Sequence, residues 1–207
     1  MTDSLEQHLT FFSEGMKNLQ GLKTGYAYAS LYEYALAKGR SMESRALSPE
    51  QKRYLVKVLR REGGRYPMKE CFSNSQRVFL CEDLCEDFRK RRLAYYEGYA
   101  TSGMMPVLHG WLVLDGECVI DLTWRRREGS NDEDNLLARP YAKGAITRTR
   151  VIGKIPDGYG YFGLEVASRD AVLDQMRRTK SWRCFLDNWE EGYPLLRTQV
   201  QNSQQSA

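Results

Sequence analysis

Apolar residues recur at helical spacing early in the chain and at strand spacing in its middle. Leu5, Leu9, Phe12, Met16 and Leu19 fall every three or four positions and predict a helix over 4–20. A second helix is predicted across Tyr26–Lys38, stopped at Gly39. A third runs from Pro49 to Arg61, with Ser48 as N-cap and Gly63-Gly64 as the stop. After the turn at Arg65-Tyr66-Pro67, a fourth starts near Glu70 or Cys71 and carries Phe72, Val78 and Phe79.

The period then changes to two. AYYEGYA (94–100), VLHGWLVL (107–114) and ECVIDLTW (117–124) read as antiparallel strands, the last two joined at Asp115-Gly116. The charged stretch 125–144 reads as a loop, and 145–155 as a further strand. DGYGYFG (157–163) does not follow a strand and open a helix as a dinucleotide fingerprint must, so it reads as an aromatic wall or flap. Ser168 caps a helix carrying Val172, Leu173 and Met176, and a last helix is predicted over Trp182–Trp189. The tail, 198–207, is polar and predicted to be disordered. Helices first, then an antiparallel meander, indicate an α+β fold. The expected division is a helical region over 1–62, a core over 63–166, C-terminal helices over 167–197 packed on that core, and the tail.

Bulk properties narrow the class. The 207 residues suffice for one substantial domain, and 42% hydrophobic residues fit a globular protein. No apolar run approaches the roughly 20 residues of a membrane helix, and the N-terminus lacks a signal-peptide layout, so a cytoplasmic location is expected. Five cysteines, an odd number, then read as thiols. Cys81 and Cys85 are four apart, but no second pair completes a zinc site, and they read as two small apolar residues on a helix face. The net charge of +4 is too small by itself to argue for nucleic acid. The basic runs RKRR (89–92) and WRRREG (124–129), and Arg148 and Arg150, lie close to the acidic NDEDN and read as a solvated face.

Chemistry enters with one of only two histidines. The other, His8, reads as a surface residue of the first helix. His109 stands on one strand of the hairpin and Asp121 on the next. A two-residue loop at Asp115-Gly116 would pair 110 with 121 and put the two side chains on opposite faces. A three-residue loop, Leu114-Asp115-Gly116, pairs 113 with 117 and so 109 with 121, letting the carboxylate hold one imidazole nitrogen and orient the other. Upstream, Cys71 falls in the first turn of a helix, where the macrodipole and free N–H groups favour the thiolate and can receive a developing oxyanion. Nucleophile, base and orienter are then all present.

The order Cys71 in KECF, His109 in HGW and Asp121 in VIDLTW resembles the transglutaminase-like branch of the papain-like cysteine fold. With YYEGYA and YFG, these motifs also resemble a group of uncharacterised bacterial and phage proteins of this type, over about residues 66–165. The resemblance implies a catalytic helix packed on an antiparallel sheet, with Cys71 attacking an acyl carbon, His109 shuttling protons and Asp121 orienting His109. Asn74, one turn after Cys71, is a candidate oxyanion donor, with Gln76, Tyr66 and Trp111 weaker ones. Trp111, Trp124, Tyr161 and Phe162 are the expected cleft walls. Glu97 reads as a buried hydrogen-bonded carboxylate. The expected function is a cysteine-dependent hydrolase, deamidase or acyltransferase acting on a peptide or protein amide. It calls for no metal or organic cofactor, no nucleic acid and no membrane, and leaves the oligomeric state open. The alternative is a catalytically silent, transglutaminase-like binding protein, one that a phage could direct against a host factor.

Overall fold

Serine caps and β-branched or aromatic alternation set most of the element boundaries. The computed structural model describes residues 4–20, 25–63, 66–67, 69–82, 92–103, 105–125 and 150–197. In chain order the elements are α1 (Leu5–Gln20), α2 (Leu31–Lys38), β1 (Arg40–Ser41), α3 (Pro49–Glu62), α4 (Cys71–Cys81), β2 (Leu93–Ser102), β3 (Val107–Leu114), β4 (Cys118–Arg125), β5 (Arg150–Gly153), β6 (Tyr159–Ala167) and α5 (Arg169–Thr179). The fold is mixed α+β around a six-stranded antiparallel sheet in the order β1-β6-β2-β3-β4-β5.

Four of the helices start on a serine whose hydroxyl accepts a first-turn N–H: Ser4 for α1, Ser30 for α2, Ser48 for α3 and Ser168 for α5. Ser48 and Gln51 form a reciprocal capping box. The Ser30 cap explains why α2 begins at Leu31 rather than at the predicted Tyr26. Gly63, in the left-handed conformation, ends α3.

One face of the sheet carries the larger core. Leu112, Leu114, Ile120 and Leu122 pack there against Leu55, Val58 and Leu59 of α3, Val78 and Phe79 of α4, and Val172 of α5. On the same face, Leu9 of α1 and Ala35 of α2 meet Tyr99 and Phe162. The other face holds Tyr96, Trp111, Val113, Val119, Val151 and Tyr161.

Several predicted details are corrected. The hairpin pairs Leu114 with Cys118 and Leu112 with Ile120, so its three-residue loop is Asp115-Gly116-Glu117. Asp115 takes φ 54° and Gly116 φ 73°, a left-handed pair that aspartate tolerates. The Asp115 carboxylate is held there by Arg92 at 2.5 and 2.7 Å. The 157–163 stretch is no flap: β6 enters the sheet between β1 and β2, because its alternate residues bury on opposite faces. The predicted helix over Trp182–Trp189 is absent. The N–H groups of Phe185 and Leu186 donate instead to the buried carboxylate of Glu97 at 2.8–2.9 Å, which bends the segment into turns. Glu97 thus has the buried, hydrogen-bonded role expected of it, and Tyr95 and Cys184 donate to it as well. Of the predicted strand over 145–155, the described part is β5. Residues 126–149, Cys85, Arg65 and Arg148, most of the basic runs and the tail 198–207 lie outside the described residues. No helix among the described residues is long and apolar enough to cross a membrane.

Candidate functional site

The hydrogen-bond ladder between β3 and β4 covers only Leu112–Leu114 and Cys118–Ile120. Continued along the strands, that register sets Asp121 across from Trp111, one diagonal step from His109 on the same face. The two side chains meet all the same: His109 Nε2 lies 2.8 Å from Asp121 Oδ2. The directly opposed pairing predicted from the sequence is therefore replaced by a diagonal one. The same-face relation survives because the actual loop differs from the predicted one by a two-residue step in register.

Asp121 is fully buried and every lone pair it presents is engaged. Oδ1 accepts from the N–H groups of Thr123 at 2.8 Å and Trp124 at 3.1 Å. Oδ2 accepts from His109 and from the Tyr161 hydroxyl, also at 2.8 Å. Bonding to its own strand two and three residues on interrupts the ladder, which is where the pairing of β4 with β5 shifts register.

The tip of α4 closes on the end of β3 that has left the ladder with β4 but still pairs with β2. Phe72 packs over Gly110, where an added Cβ would stand 2.8 Å from the ring. The Ser75 hydroxyl donates to Gly110 O at 3.1 Å. Cys71, the first residue of α4, lies beside His109, close enough to help raise its pKa. Since Nε2 faces Asp121, Nδ1 is the ring nitrogen left for the sulfur. Lys69, two residues earlier, has φ 70°, a left-handed kink that turns the chain into the helix. Unlike α2, α3 and α5, α4 has no side-chain cap hydrogen bond. Its first-turn N–H groups are therefore left without a side-chain acceptor, beside the thiol.

The electrostatics follow from burial and charge together. Burial alone would depress the His109 pKa. The Asp121 charge and hydrogen bond, aided by the Cys71 contact, outweigh it and raise the pKa to about 10. Burial would raise the Asp121 carboxyl, but the His109 charge and hydrogen bond and the two backbone donors hold it below the ordinary range. Cys118 and Cys184 are both pushed up, first by burial and then by the nearby carboxylates of Glu117 and Glu97 respectively.

The remaining predicted site residues divide sharply. Trp124 lies against the His109 ring, centroids 4.5 Å apart, and keeps part of its surface exposed. Trp111 is completely buried beneath His109 and lines no cleft. Tyr161 is buried too, and it secures Asp121 rather than facing substrate. Phe162, its neighbour on β6, points to the opposite face and packs with Leu9 and Tyr99. Asn74 is no oxyanion donor: its Nδ2 donates to Pro67 O at 2.8 Å and Thr123 Oγ1 at 2.9 Å, bracing the turn before Cys71 against β4. Gln76 Nε2 is likewise taken by Tyr95 and Arg183 O. The Tyr66 hydroxyl donates to Glu62.

Two residues near the site escaped the sequence reading. Arg150 is buried, and its guanidinium donates to Thr123 O and, at 2.7 Å, to Tyr66 O, so it ties the end of β4 to the turn before Cys71. Its alternation on a strand was the only signal, and it suggested a solvated face. Trp189, 65% exposed, shares a cavity with Phe72. His8, expected at the surface, is half-buried with Nδ1 unpartnered. Among the described residues, no three histidine, cysteine or acidic side chains are grouped to hold a metal ion. No protein-family model, curated protein or solved structure matches this chain.

Proposed function

We propose that this chain is a cysteine-dependent acyl-transfer enzyme with a transglutaminase-like core, acting on a peptide or protein amide. The observation that carries the reading is the His109–Asp121 hydrogen bond with the Cys71 thiol beside His109, at a helix N-terminus that has no side-chain cap. The Cys71 thiolate adds to the carbonyl carbon, and the first-turn N–H groups of α4 receive the oxyanion. His109, held as imidazolium by Asp121, gives its proton to the leaving amine. It then takes a proton from water as water attacks the acyl-enzyme, which returns the acid and the free thiolate. Hydrolysis or deamidation stands ahead of cross-linking. Asp121 and Tyr161 act as positioning residues.

The test is turnover of peptide amides, with electrophile labelling mapped by mass. Turnover must vanish in Cys71→Ala with folding intact. One observation favours the second reading, a catalytically silent binding protein: Cys71 is only 7% and His109 2% exposed, so the site is nearly closed. Full biological effect in Cys71→Ala would establish that reading instead.

A further inference from the structure

An uncapped helix start leaves its N–H groups open to a ligand. It also leaves the tip of α4 without the local bond that normally fixes where a helix begins. Phe72 and Ser75 press α4 onto Gly110 of β3, but they lie after Cys71 in the chain. The turn that leads into Cys71 is held separately, and the bonds that hold it converge on one residue of β4.

That residue is Thr123, buried where the pairing of β4 with β5 shifts register. Its N–H donates to Asp121 Oδ1 at 2.8 Å. Its hydroxyl oxygen accepts from Asn74 Nδ2 at 2.9 Å, and the same amide nitrogen donates to Pro67 O at 2.8 Å. Its carbonyl oxygen accepts from the Arg150 guanidinium, which also donates to Tyr66 O at 2.7 Å. Asn74 and Arg150 thus each join Thr123 to the turn before Cys71, one at Pro67 and one at Tyr66. The carboxylate that orients His109 hangs on the same residue. One side of Thr123 holds the partner of the imidazole, and the other holds the approach of the thiol.

Burial stiffens this arrangement. Asn74, Thr123 and Arg150 have almost no solvent contact, so a donor freed from one of these bonds finds little water to replace it. The Arg150 fork is planar and reaches two carbonyls at once, which a lysine ammonium at the same place would not.

We propose that Thr123, clamped by Asn74 and Arg150, is a positioning residue that sets the Cys71 thiol against the His109 imidazole. This rests on the acyl-transfer reading and deepens it by naming what aligns nucleophile and base. Misplacing reacting groups by about 1 Å costs about a hundredfold in rate, and loss of one clamp with the other retained should cost about tenfold.

The experiment follows iodoacetamide labelling of Cys71 in the full chain, native and with Thr123→Val or Thr123→Ser, each with and without His109→Ala. It is read beside kcat and KM on N-acetylated peptide amides. Thr123→Val keeps the side chain's shape and removes the acceptor for Asn74. Labelling should slow about tenfold where His109 is present and change less than about twofold where it is absent, because the alignment acts through the imidazole. kcat should fall with KM unchanged. Thr123→Ser returns the acceptor and should return both rates. Arg150→Lys keeps the charge without the fork and should repeat the Thr123→Val pattern, and it carries the test if Thr123→Val does not fold. A brace that served the fold alone would behave in the opposite way. Loosening it would uncover the Cys71 thiol, now 7% exposed, and speed labelling equally with and without His109. That result, or native labelling rates in both Thr123→Val and Arg150→Lys, overturns the proposal. The expected labelling pattern in a chain that turns over no peptide amide upholds the alignment and overturns the acyl-transfer reading. Turnover with kcat unchanged in Thr123→Val overturns the alignment alone.

Discussion

Asp121 is the residue on which the site turns, because it is the point where burial, charge and backbone geometry meet. Four donors converge on it, two of them from its own strand. Removing the Tyr161 hydroxyl deletes one of those donors and leaves the others. Tyr161→Phe should therefore slow peptide-amide turnover about tenfold, and Asp121→Ala should abolish it and destabilise the fold by roughly 3–5 kcal/mol, measured by urea unfolding. The cysteines give a second residue-scale prediction. Iodoacetamide near neutral pH should modify Cys71 before Cys118 and Cys184, whose thiols are held protonated by burial and adjacent carboxylates. His109→Ala should slow the Cys71 reaction, since it removes the imidazolium. Equal rates at all three thiols would reduce Cys71 to an ordinary packing residue.

At the scale of elements, the site depends on how closely α4 approaches β3. Gly110 makes the approach possible, because any Cβ there runs into the Phe72 ring and the Tyr95 hydroxyl. Gly110→Ala should cost about 1–3 kcal/mol by overpacking and lower the Cys71 labelling rate as the helix tip shifts away from His109. Unchanged labelling in that variant would show that the helix tip is placed by other contacts. Glu97 plays the corresponding part for the C-terminal segment, which it holds through the backbone N–H groups of Phe185 and Leu186. Glu97→Ala leaves those donors buried without an acceptor, at roughly 2–4 kcal/mol. Hydrogen exchange at Phe185 and Leu186 should accelerate well beyond that in the strands.

For the whole molecule, the buried His109–Asp121 pair links stability to pH. The folded-state pKa of His109 is raised, to about 10 from an ordinary value of 6.5. Its contribution is fully present below pH 6.5 and is lost as the pH climbs through about 10. Asp121, with its pKa lowered from 3.8, contributes above that value and loses its contribution as the medium becomes more acidic. The native chain should thus lose stability between pH 7 and about 10 more steeply than His109→Gln, in urea titrations at fixed temperature. Parallel slopes would mean that His109 is not held as a cation in the fold.

Much of the molecule was legible in the chain itself. Ser48 and Ser168 announced their helices because capping is a local bond between a hydroxyl and an N–H three residues on. Strand β3 was readable to the residue, since alternation reports burial on a pleated surface directly. Cys71, His109 and Asp121 were readable as a candidate set, because a thiol at a helix start, a strand histidine and a carboxylate on the next strand fall in one order along the chain. What surrounds them was not. Whether Tyr161 faced substrate or Asp121 depended on β6 crossing back beside β2, a pairing between segments far apart in sequence. Asn74 became a brace rather than an oxyanion donor only because Pro67 and Thr123 were brought to its amide. The helix expected over Trp182–Trp189 had the right periodicity, and a buried carboxylate from β2 took its amides instead. Local pattern determines which elements form and which face they bury. Long-range contacts decide what each polar side chain finally bonds to, since a buried donor or acceptor must take whichever partner the fold delivers.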